Sequence, residues 1–126
     1  MFNILFLISA IIFVSIDFIY LNGMQNYFKN QVQKVQSSEL KMNLLGAALC
    51  YIFLIFGLNY FIIEQKKGIA DAFILGLIIY GVYETTNYSL FSRWSFLTVI
   101  LDTLWGGILF ALTTFCIIKI RSLGFH

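Results

Sequence analysis

The chain has 126 residues, enough for one compact domain. Hydrophobic residues make up 60% of it and charged residues 11%, against about 45–50% and roughly 25% in soluble domains. A soluble domain this small could not hide so much apolar surface, because small domains bury the smallest share of theirs. The formal charge of +2, with Lys and Arg scattered, excludes a nucleic-acid patch, so the expected partner is the lipid bilayer.

A hydrocarbon core about 30 Å thick takes roughly 20 apolar residues of helix. Four segments qualify, at about 3–23, 43–64, 69–91 and 95–118. Each is apolar around its whole circumference rather than along one stripe. A closed β-barrel would need many alternating strands of about ten residues, and no such alternation is present. The expected fold is therefore all-α: one integral membrane domain over 1–126, with four transmembrane helices in an antiparallel bundle. The first segment does not read as a signal peptide, since no Lys or Arg precedes it and Asp17 interrupts it.

The connections differ in character. In 24–42, Met24, Tyr27, Phe28, Val32 and Val35 follow helical spacing, with Lys29, Gln31, Gln33 and Lys34 elsewhere. That pattern predicts a short amphipathic helix in the headgroup region, with a solvated loop as the alternative. Residues 65–68 form a tight turn, and the connection at Ser92-Arg93-Trp94 is equally short and carries an interface-type Trp. Short connections make helices two to four consecutive antiparallel neighbours. The chain has no proline to force a kink. Calling the side with both termini A and the other B, Lys66, Lys67, Lys119 and Arg121 fall on A, and Lys29, Lys34, Lys41 and Arg93 on B. A balance of charge gives no orientation. Cys50 and Cys116 lie at different depths, too far apart for a disulfide, and read as small buried hydrophobes.

Ionisable groups inside membrane helices cost roughly 2.5–3.5 kcal/mol each on insertion scales, so they line cavities or find partners. Asp17, Glu84 and Asp102 are such groups. Counted from the B-side helix ends at 1.5 Å per residue, all three lie roughly 9–11 Å deep. Tyr20 is one turn from Asp17, and Trp105 one turn from Asp102. Tyr80, Tyr83, Glu84 and Asn87 share a face of helix three, which Gly76 and Ala72 continue toward side A. On helix four Thr103, Gly107 and Ala111 recur at intervals of four beside Asp102 and Gly106, small residues that suit close helix packing. Arg93 is the nearest candidate counter-charge. Without one, the acids must keep protons, accept hydrogen bonds or hold a cation. The alternative is a polar network that only specifies packing. Asp71 and Glu64 read as solvated ends on side A. His126 is terminal and no helix carries His or Cys at ligand spacing, so neither a metal nor another cofactor is expected. An all-oxygen site would suit a hard cation.

Helices one and four carry related words, Asp17-Phe18-Ile19-Tyr20-Leu21-Asn22-Gly23 and Asp102-Thr103-Leu104-Trp105-Gly106-Gly107. On helices running oppositely, such words hint at an inverted arrangement like that of transporters. Asp17-x-x-Tyr20, Tyr83-Glu84-Thr85-Thr86-Asn87, Trp94 and Asp102-x-x-Trp105-Gly106 together resemble a family of predicted four-helix membrane proteins of unknown function, found in bacteria and some large DNA viruses. The resemblance spans about residues 4–118. It departs in Glu84, where that family usually has Asp, in Tyr20, where Trp is common, and in Ser95, where Pro is usual. It implies the fold, marks Asp17, Glu84, Asn87, Asp102 and Trp105 as a site, and brings no activity with it. Three functions follow from the residues. The first is a proton- or cation-coupled conduit or carrier, expected to be a homo-oligomer. The second is a lipid-binding protein or intramembrane proton-transfer enzyme. The third is a structural or assembly protein. An enzyme is the less expected outcome.

Overall fold

The computed structural model describes residues 3–36 and 44–124, and among these every regular element is helical. Helix α1 runs Ile4–Gln36, α2 Leu44–Leu58, α3 Ile69–Leu90 and α4 Phe96–Ser122, and a π-helical turn, Asn59–Ile63, continues α2. All four are long and apolar enough to cross a membrane: Ile4–Tyr27, Leu44–Ile63, Ile69–Leu90 and Phe96–Ser122. No more than 39% of any of these apolar windows is buried inside the protein. Many of the remaining Leu, Ile and Phe side chains are exposed, and only lipid can solvate them.

One helix ends differently from the sequence expectation, and a second finishes in an irregular turn. The stretch expected to form a separate short helix after residue 23 instead continues α1 without a break to Gln36, and residues 37–43 lie outside the described residues. At 1.5 Å per residue, a 33-residue helix is about 50 Å long and projects well past a 30 Å hydrocarbon core. Helix α2 has 15 residues, about 22 Å, and reaches the far side only with its π-turn. In that turn Glu64 N–H bonds back to Asn59 O at 2.8 Å, five residues earlier. The Asn59 amide Nδ2 donates to Ile55 O at 2.8 Å and to Ser9 Oγ on α1 at 2.9 Å. The wide turn is thereby tied to its neighbour.

The turn after α2 closes as a Schellman motif. Lys67 N–H bonds to Ile62 O at 2.8 Å and Lys66 N–H to Ile63 O at 3.1 Å. Lys66 occupies the left-handed position with φ 54°, where glycine is usual and another residue costs about 1 kcal/mol. Ser95 caps α4, its Oγ accepting from Leu97 N–H at 3.1 Å.

Packing is uneven. Helices α3 and α4 are the most extensively paired, and α1 packs chiefly on α4. Helix α2 touches α1 lightly and meets α4 through the π-turn. Glycines set the α3–α4 distance. A Cβ built on Gly76 would lie 2.2 Å from Gly106 O, and one on Gly107 would lie 2.8 Å from the Phe73 ring. The two backbones therefore touch, as small residues permit in membranes.

Helix α1 sends Leu5, Ser9, Phe13 and Asp17 into the interior, each buried and each one turn apart. These residues divide the core into layers about 6 Å apart. Ser9 meets Asn59. Phe13 packs edge-on against Phe110, with ring centres 5.4 Å apart, and against Tyr51 at 6.3 Å. Asp17 opens a second polar layer.

Candidate functional site

The second polar layer is built by all four helices. Asp17, 7% exposed, accepts two hydrogen bonds, from Trp105 Nε1 of α4 at 2.9 Å and from Tyr51 OH of α2 at 2.5 Å. Tyr20 lies flat on Trp105, with ring centres 4.2 Å apart and planes within 7°. The related words of helices one and four therefore face each other. The aromatic ring of the second serves the acid of the first, while Tyr20 lies within electrostatic reach of Asp102.

Glu84 of α3 is 1% exposed. Its carboxyl lies within interaction range of that of Asp102 on α4, and its Oε1 accepts from Trp94 Nε1 at 2.9 Å. Asp17 adds electrostatic contact with Asp102, so the three acids form one neighbourhood with two distinct arrangements. Asp17 is enclosed by neutral donors. Glu84 and Asp102 face each other, and two carboxyl groups in close contact favour sharing a proton.

A cavity of about 570 Å³ adjoins this pair, lined by Cys50, Phe53 and Leu54 of α2, Ile79, Tyr80 and Tyr83 of α3, and Asp102. Cys50, Phe53 and Tyr83 are exposed and lie within the spans, so the cleft opens sideways toward lipid. Cys50 is thus a free thiol on the cleft wall, where the sequence suggested a buried one, and Cys116 is also free. Tyr80 is held against Gly106, whose Cβ would come within 2.2 Å of the Tyr80 ring.

The remaining candidates sit around this centre. Asn87 is half-buried one turn beyond Glu84, and its backbone carbonyl receives Phe91 N–H at 2.8 Å. Arg93 is exposed in the α3–α4 turn. Among the described residues, no three His, Cys, Asp or Glu side chains are grouped closely enough to hold a metal ion. Two members were not placed in the site by the sequence. Tyr51 lies about seven residues into α2 from its B-side start, roughly 10 Å deep, so counting could have found it. Trp94 was read as an interface anchor, but its indole N–H points inward to Glu84.

Four membrane-length helices around a buried acid define a multi-pass integral membrane protein. The family model described as "Predicted membrane protein (DUF2177)" matches residues 2–118, and the chain belongs to that family. No curated protein and no solved structure matches the chain.

Proposed function

We propose that the protein is a proton-coupled carrier for a lipophilic cationic solute taken from the bilayer. The observation that carries this reading is a buried Glu84 beside Asp102, which itself forms part of the wall of an apolar cleft open toward lipid. A carboxyl pair holding one proton bears one negative charge in a low-dielectric setting. A cation entering beside Asp102 is stabilised most when the shared proton leaves, so solute and proton compete for one site. The apolar walls and the Tyr80 and Tyr83 rings favour a hydrophobic or aromatic body attached to that charge. On side A the Phe13–Phe110 layer separates the acids from the Ser9–Asn59 layer, so transfer across the protein requires that aromatic layer to part.

The test is proton-gradient-driven uptake of ethidium or tetraphenylphosphonium into liposomes, with internal pH followed in parallel. Uptake should exceed that of empty liposomes, and Asp102→Asn and Glu84→Gln should each lower it at least tenfold. Uptake equal to empty liposomes, or unchanged in both variants, removes the carrier reading. The lateral opening of the cleft also favours a second reading, a lipid-binding protein whose acid pair transfers a proton on the bound lipid. In a Cys116→Ser background, a lipid ligand that shields Cys50 from a membrane-soluble maleimide without any solute flux selects that reading.

A further inference from the structure

A second cavity lies at the opposite membrane face, well away from the acid pair. Its volume is about 150 Å³, and it is lined by Asn3, Leu5, Ile63, Glu64, Lys66 and Arg121. The residues come from the start of α1, the end of the π-turn, the turn after it and the last turn of α4. All of these are span ends on side A, where phospholipid headgroups lie.

The cations here are positioned rather than merely present. Arg121 Nη1 donates to Ile63 O at 2.9 Å, the same carbonyl that receives Lys66 N–H. That bond anchors the guanidinium by one edge, and a guanidinium has five donors arranged to match a phosphate. Lys66 reaches the cavity from a left-handed backbone conformation that disfavours a side chain. Glycine would close the same turn more easily, so a lysine there needs an explanation outside the turn. Helix α1 begins beside them, with Asn3 Oδ1 capping Phe6 N–H at 3.1 Å, and its N-terminal dipole adds positive potential. Glu64 also lines the cavity and sets one carboxylate against the two cations. Lys119, on the same helix end as Arg121, instead lies 5.5 Å from the Phe115 ring centre and does not line the cavity.

We propose that this cavity binds the phosphodiester headgroup of a bilayer phospholipid, with Arg121 and Lys66 as its phosphate ligands and Leu5 and Ile63 against the start of the lipid tail. The site is independent of the carrier reading, because it shares no residue with the acid pair or its cleft.

The experiment is native mass spectrometry of the whole protein in detergent with added phosphatidylglycerol, counting lipid retained as detergent is stripped. One lipid should survive on the unmodified protein. Arg121→Gln and Lys66→Gly should each reduce retention at least fivefold, whereas Lys119→Gln, which removes the same charge nearby, should leave it unchanged. Lys66→Gly also separates binding from folding, because it relaxes the turn: retention should fall while the melting temperature holds or rises. Equal loss in Lys119→Gln and Arg121→Gln would mean general surface attraction and overturn the site. A parallel arm with inorganic phosphate and no lipid addresses the source. Protection by phosphate alone, with no lipid retained, would overturn the lipid assignment.

Discussion

Replacing Gly76 by alanine tests whether backbone contact between α3 and α4 holds the acid pair together. The added Cβ would lie 2.2 Å from Gly106 O and 2.8 Å from Gly106 C, both backbone atoms that cannot rotate away. Non-bonded heavy atoms are comfortable at roughly 3.5 Å, so the helices must part by about 1 Å at the crossing. Overpacking of this kind costs about 1–3 kcal/mol, and a rigid obstacle belongs at the upper end. Alanine recovers about 1 kcal/mol through its better helix propensity, leaving a net loss of about 2 kcal/mol. Gly81 is the control. It lies on the same helix, where a Cβ would meet only Thr103 Cγ2 at 3.5 Å, an ordinary contact. Gly81→Ala should therefore be neutral or stabilising by up to about 1 kcal/mol. Reversible unfolding of the two variants in mixed micelles of mild detergent and dodecyl sulfate measures the difference, expected to be about 2–3 kcal/mol. Values for the two within about 0.5 kcal/mol of each other would contradict backbone contact at this crossing, since surface-like substitutions fall in that range.

Two further outcomes follow from the hydrogen bonds. Trp105→Phe keeps an aromatic ring over Tyr20 but removes the donor to Asp17 Oδ1; a double-mutant cycle with Asp17→Ala, which removes the acceptor, should give a coupling of about 1–2 kcal/mol, and zero coupling would sever Trp105 from the acid. Asn59→Leu removes the donor shared by Ser9 Oγ and Ile55 O, and should destabilise by about 1–2 kcal/mol in the same micelle assay; no loss would mean that the π-turn stands without that link.

Much of the architecture is readable from hydropathy, because lipid demands long apolar helices and little else. The four spans follow from counting apolar residues along helices of fixed rise, and the same count predicts a common depth for Asp17, Glu84 and Asp102. Partnerships do not follow from counting. A membrane helix apolar on every side has no amphipathic stripe to fix its rotation, so nothing in the sequence aimed Tyr51 at Asp17 or turned Trp94 inward. The π-turn was hidden for a related reason: Asn59 in an apolar run signals a polar contact but not a backbone widened by one residue. The continuation of α1 to Gln36 was lost to composition, since the change from apolar to polar residues at the membrane surface resembles a helix end. Small residues on α3 and α4 are visible in the sequence, but only the fold sets Gly76 against Gly106 rather than against α1 or α2.

The light attachment of α2 has a consequence for whatever enters beside it. Its named polar ties to α1 are Tyr51 on Asp17, level with the acids, and Asn59 on Ser9, nearer side A. A guest that drew Tyr51 off Asp17 would release the upper end of this helix while the lower end stayed pinned. The cleft would then widen like a door on a hinge at Asn59, with Tyr51 as its latch.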